Sequence, residues 1–211
     1  MTNVLHVVGD AATDVYAVKN TPTLPALWVS AYVYWVADLP GNGDNSSAFF
    51  AFNTSAGDGV GHLAWVRNDP PRGLDISAGF NGPYAVPINT GAWRLIEFWG
   101  EKGNPADTEL WVDGVQQSVT TFTVNLPLDQ LGVSFGAYLP GGWETGYELY
   151  IGNIRIGTTR GAGDLWGGDI SAGIGAFDAA NPGAGTLEVI PDPTGTLPSR
   201  ELGGVMWVGT L

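Results

Sequence analysis

Cysteine is missing from the sequence. That excludes a disulfide framework and any cysteine-ligated metal centre, so the fold must hold by its core alone. Cations are scarce: 8 Lys and Arg stand against 21 Asp and Glu, a formal net charge of -13. A phosphate backbone is repelled by such a chain, and nucleic acid is not expected as a partner. No run of about 18 apolar residues occurs, so no membrane insertion is expected. The opening Met1-Thr2-Asn3-Val4-Leu5-His6-Val7-Val8-Gly9-Asp10 has no positive n-region and only a short apolar stretch, so no signal peptide is expected.

What the chain does have is apolar and turn-forming. Of its 211 residues 44% are hydrophobic, enough for one sizeable core. Its 32 Gly and 14 Pro beside 9 Trp and 7 Tyr favour many turns and aromatic strands over helices, which makes all-β the expected class.

Periodicity agrees. Leu27, Val29, Ala31, Val33, Trp35 and Ala37 alternate with Trp28, Ser30, Tyr32, Tyr34 and Val36, which predicts a long strand, apolar on one face and aromatic with polar tips on the other. After the turn-forming stretch from Gly41 to Ser47, a second strand is predicted over Ala48–Phe52. Further short runs at 62–67, 74–80, 93–99, 109–112, 115–124, 131–138 and 147–156 are bounded by Gly, Pro, Asn or Asp, the spacing of a sandwich or barrel. Asp113-Gly114 between two such runs predicts a two-residue type I′ hairpin. Tyr147, Leu149 and Ile151 share one phase and Ile154 and Ile156 the other, which predicts a β-bulge at Gly152.

After Gly157 the chain becomes Gly-rich. The expected division is a sandwich over 1–160 and a Gly/Pro-rich extension over 161–211, either an inter-subunit arm or late strands such as Leu187–Ile190 and Val205–Val208. Leu187-Glu188-Val189-Ile190 echoes Leu5-His6-Val7-Val8. Chance resemblance between strands is the bland explanation; a truncated second copy docking on a neighbouring subunit is the sharper one.

Trp93-Arg94-Leu95-Ile96-Glu97-Phe98-Trp99, then Glu109-Leu110-Trp111-Val112-Asp113-Gly114-Val115, then Ile151-Gly152-Asn153-Ile154-Arg155-Ile156 is an order that resembles the laminin-G-like domains of the concanavalin A-like lectin and glucanase superfamily. The likeness covers about residues 26–160 and implies an antiparallel β-sandwich of jelly-roll type. The hairpin motif is architectural and speaks to fold more than to function.

For the glucanases of that superfamily the resemblance implies paired carboxylates on one strand face. Glu97 and Glu101 are the nearest imitation, but the compact acidic motif is absent, and solvated surface acids are expected. His6 and His62 have no sequence-adjacent Asp or Ser and are expected to be structural. Catalysis is therefore not expected. No cofactor is expected either; calcium, which lectin-like members bind, would draw on Asp44, Asn45, Asp58, Asp69 and Asp107, whose spacing matches no defined calcium loop. A sugar needs an exposed aromatic platform beside polar groups, and Tyr84, Tyr138 and Trp143 are the candidate ligand-binding residues in Gly- and Pro-rich loops, where aromatics also simply cap sandwiches.

The Gly-, Ala- and Trp-rich style resembles laminin-G-like proteins of tailed bacteriophages. That resemblance implies a non-catalytic virion protein, a capsid decoration or tail component assembled in the host cytoplasm, with virion proteins, further copies of itself and surface glycans as partners. The alternatives are a stand-alone carbohydrate-binding module and a glycoside hydrolase.

Overall fold

The computed structural model describes residues 3–9, 15–20, 24–36, 46–53, 60–69, 73–78, 86–88, 90–101, 106–122, 132–141, 147–161, 166–167, 178–180 and 186–199. Among them every regular element is a strand. The first four are Asn3–Gly9 (β1), Val15–Asn20 (β2), Ala26–Trp35 (β3) and Ser46–Asn53 (β4). Val60–Asp69 (β5), Gly73–Ala78 (β6), Val86–Ile88 (β7) and Trp93–Glu101 (β8) follow. Ala106–Val112 (β9), Val115–Phe122 (β10), Gly132–Gly141 (β11) and Tyr147–Gly157 (β12) complete the part read as a sandwich. The Gly-rich stretch beyond adds Trp166–Gly167 (β13), Asp178–Ala180 (β14) and Thr186–Pro191 (β15).

These strands form the expected antiparallel β-sandwich. One sheet runs β10-β9-β8-β3-β12-β1-β15, with β13 beside the end of β12; the other runs β14-β2-β11-β4-β5-β6-β7. Alternation in β3 decides which residues face the second sheet. Leu27, Val29, Ala31, Val33 and Trp35 are fully buried, and Ile96, Phe98, Leu110, Leu149, Ile151, Leu5 and Val7 on the neighbouring strands join them. Phe98 meets Phe52 of the second sheet with ring centroids 5.1 Å apart, a contact that joins the two layers. Each such ring contributes about 1.5–3 kcal/mol by leaving water.

The hairpin between β9 and β10 has the expected geometry: Asp113 and Gly114 both take positive φ, 50° and 82°. Asp113 also ties the turn to β8. Its Oδ1 accepts from the Leu95 N–H at 2.9 Å, its own N–H donates to Leu95 O at 2.8 Å, and its Oδ2 pairs with Arg94 Nε at 2.8 Å.

The bulge in β12 is present but works differently from the expectation. Tyr32 faces Gly152 and Ser30 faces Arg155, so Asn153 and Ile154 together oppose Ala31. The positive φ falls on Asn153, at 49°, a residue type that tolerates this region. Gly152 serves packing instead: a Cβ there would lie 2.7 Å from Leu197 Cδ2 and 3.3 Å from Val4 Cγ1.

Residues of the C-terminal stretch pair within this same chain. β15 lies antiparallel to β1 with Leu5 opposite Val189 and Val7 opposite Leu187, so the two echoing segments are sheet neighbours. β14 pairs with β2, and β13 pairs with β12. The Val205–Val208 candidate lies outside the described residues.

Candidate functional site

The outward face of the first sheet is where polar chemistry gathers. The half-buried residues of β3, Trp28, Tyr32 and Tyr34, point away from the core, and register fixes their company: Tyr34 lies opposite Trp93 and Tyr150, and Trp28 opposite Trp99. Tyr34 has its ring centroid 5.4 Å from Trp93 and 5.9 Å from Tyr150, and Trp28 stands 6.1 Å from Trp99. Two aromatic clusters thus occupy opposite ends of the same face.

Between them lies the chain that follows β15. Asp192 organises it: the carboxylate accepts from Thr194 N at 2.9 Å, Thr194 Oγ1 at 2.7 Å and Leu197 N at 2.9 Å. Burial alone would raise this carboxyl; those bonds and one from the Gly195 N–H outweigh it and hold Asp192 below the ordinary carboxylate value. The strap is then fastened to the sheet at three places. Trp93 Nε1 donates to Thr194 Oγ1 at 2.9 Å, Asn153 Nδ2 donates to Pro198 O at 2.7 Å, and Leu197 fills the dimple above Gly152.

Beside the strap opens a cleft of about 380 Å³, within the size range of small-ligand sites. Tyr34, Val36, Gly91 and Tyr150 line it on the sheet side and Pro193, Thr194 and Thr196 on the strap side. Gly91, at φ 77°, bonds its N–H to Trp35 O at 2.9 Å and keeps the rim low.

Next to the cleft stands a linked polar group. Tyr150 Oη donates to Glu148 Oε1 at 3.0 Å, and His6 stacks near Tyr150 with centroids 5.1 Å apart. His6 Nε2 lies 2.9 Å from Glu148 Oε1 and Nδ1 2.9 Å from Glu188 Oε1. Only a doubly protonated ring donates to both. Burial, with the bond to Glu148 adding to it, pushes the Tyr150 phenol up to about 12, so at neutral pH Tyr150 is a proton-bearing donor.

The other end of the face is filled by its own partners. Glu97 is only 5% exposed, and Arg160 bonds its Oε2 through Nε at 3.1 Å and Nη2 at 2.5 Å. The same guanidinium lies 3.6 Å above the Trp111 ring, which removes that ring face from any ligand. Glu101 does not join Glu97; it accepts from the Asp107 N–H at 3.1 Å. The paired-carboxylate arrangement weighed for a hydrolase is not formed by these two.

The residues singled out from the sequence for ligand binding are not among the described residues that line the cleft. Tyr84 and Trp143 lie outside the described residues, and Tyr138 is placed only by its backbone, in β11 opposite Ala48 on the second sheet. Of the calcium candidates, Asp69 ends β5 and Asp107 lies in β9, while Asp44, Asn45 and Asp58 fall outside the described residues. Among the described residues no three His, Asp or Glu converge to hold a metal ion.

No protein-family model matches the chain, and no curated protein matches it. Solved structures do match at the level of fold. An alginate lyase, Aly36B, superimposes with a TM-score of 0.53 at 12% identity over 74% of this chain and 81% of that one. The same lyase with an alginate tetrasaccharide gives 0.54 at 13% identity, covering 74% and 81%. A heptameric SAP-like pentraxin from Limulus polyphemus gives 0.55 at 10% identity, covering 89% and 95%. These are jelly-roll sandwiches, and the chain shares their lectin-like fold.

The expectation that the chain is not an enzyme is corrected by this finding. It shares its fold with an alginate lyase, so the architecture gives no ground for setting catalysis aside. His6, read as structural because no partner is near in sequence, in fact bonds Glu148 and Glu188, 142 and 182 residues away. Only sheet pairing of β1 with β12 and β15 could bring these together.

Proposed function

We propose that this chain binds carbohydrate, taking a glycan segment in the cleft between Tyr34, Tyr150 and the 192–199 strap. One observation carries the reading. Two phenol rings and two threonine hydroxyls converge on an open cleft of about 380 Å³, which matches the apolar face and hydroxyl rim of a pyranose. The lectin-like fold, shared with a pentraxin and with a lyase solved on an alginate oligosaccharide, supports it.

The test is affinity electrophoresis in native gels carrying soluble glycans. Gly91→Asn is the blocking variant: Asn tolerates positive φ, and the new Cβ lies 3.8 Å from Tyr34 Oη at the rim of the cleft. Retention of the wild type by at least one glycan, reduced tenfold or more in a Gly91→Asn protein that still unfolds cooperatively, is the expected result. Equal retention of the two proteins overturns the assignment to this cleft.

A second reading, cleavage of the bound glycan, is favoured by the contact of Tyr150 with Glu148 and His6 at the cleft. Tyr150 would then give its proton to the leaving oxygen as the glycosidic C–O bond breaks, with water adding at the anomeric carbon and losing its proton to the Glu148 carboxylate. Release of new chain ends from a retained glycan, abolished in Tyr150→Phe, is its signature. The finer reading as a virion component with subunit partners draws only on the sequence resemblance, and none of the structures named above is a particle protein.

A further inference from the structure

Among the described residues the charge around the cleft is one-sided, and this bears on which sugars enter. None of the described residues that line it is charged. The carboxylates beside it are Glu148, bonded to the lining Tyr150, Asp192, bonded to the lining Thr194, and Glu188 behind His6. His6, the one basic side chain of this group, has both ring nitrogens occupied by two of those carboxylates. Arg94 is paired with Asp113 and Arg160 with Glu97, and Arg155 Nη1 donates to Gly161 O at 3.1 Å. A bound uronate or sialate needs a cation or a fork of donors to replace its hydration. Among the described residues the cleft presents neither, and the net charge of -13 adds long-range repulsion.

We infer that the cleft selects neutral glycans and excludes uronate-bearing ones, in contrast to the alginate lyase whose fold it shares. This rests on the carbohydrate-binding reading and names its ligand class. The neighbouring carboxylates favour the same choice, since Glu148 and Glu188 repel sugar carboxylates.

The experiment measures retention of the full chain by neutral gels (soluble β-glucan, xylan, mannan and galactan) and by polyuronate gels (polygalacturonate and polymannuronate). The measurement is made at about 0.02 M and 0.5 M salt, because screening shortens the reach of the repulsion from tens of ångströms to a few. Expected is retention by a neutral glycan that is lost in Gly91→Asn, with every polyuronate bound at least tenfold more weakly at low salt. The gap should narrow at high salt and in Glu148→Gln/Glu188→Gln. Binding of a polyuronate as tightly as the best neutral glycan, blocked by Gly91→Asn, overturns the inference and leaves the binding reading standing. Retention of the wild type by none of the gels overturns the binding reading and the inference with it.

Discussion

The two faces of β3 carry the same alternation and end in opposite circumstances. Its inward residues are fully buried. Of its outward residues Trp28, Tyr32 and Tyr34 are half-buried, and what lies over the face differs along the strand: Arg160 spans Glu97 and Trp111 at one end, and a strap of chain from beyond β15 flanks a cleft at the other. The inward face depends on apolarity and volume, which neighbours of many identities satisfy. The outward face depends on hydrogen bonds and charges between particular residues.

That contrast can be broken by substitution. Phe98→Ala removes the ring that meets Phe52 across the sandwich and should cost about 3–5 kcal/mol in urea unfolding, with no change in glycan selectivity if the protein stays folded. Arg160→Ala leaves the buried Glu97 carboxylate without its cation. Because Arg160 is itself 35% exposed, the loss should be about 2 kcal/mol, below that of a fully buried pair, and Glu97→Gln in the same chain should restore most of it.

Gly152→Ala presses a methyl group against Leu197 and should cost about 1 kcal/mol. In a Leu197→Ala background the same change should cost close to nothing, and a double-mutant cycle by denaturation measures the difference. Asp192→Asn should cost about 0.5–1 kcal/mol at neutral pH, as weakened acceptors loosen the strap. The wild-type Asp192 carboxyl is depressed in the folded chain, so its contribution is complete above the ordinary carboxyl value near about 4 and disappears as pH falls through and below it. Thermal unfolding of both proteins between neutral pH and strong acid should show their Tm values converging.

Tyr150→Phe should change neutral stability least. Its signature is alkaline. A phenol raised to about 12 stabilises the fold fully below its unfolded value near about 10, and that contribution is lost as pH rises toward 12. Ultraviolet titration should show one late phenolate fewer in the variant than in the wild type; an unchanged late phase would show that Tyr150 is not the shifted group.

How far the molecule was legible beforehand follows the same division. The long strand over 26–35, the Asp113-Gly114 hairpin and the late Leu187–Ile190 strand were readable because alternation and turn chemistry are local. β2, β7, β13 and β14 were not, being short or too mixed in composition to show a period. The bulge was legible as a change of phase; that Asn153 bends and Gly152 yields space to Leu197 was not, since that contact spans 45 residues. Aromatics in Gly-Pro loops drew attention to Tyr84, Tyr138 and Trp143, while Tyr34 and Tyr150 looked like ordinary strand residues.

Read alone, then, the sequence settles the all-β class, the inward face of the first sheet and the absence of thiol chemistry, because composition, period and residue chemistry act within a few neighbouring positions. The cleft, the His6–Glu148–Glu188 linkage and the strap belong to the tertiary structure. Each joins residues far apart in the chain, and only antiparallel pairing of β1 with β12 and β15 sets their carboxylates, phenols and imidazole within hydrogen-bond reach.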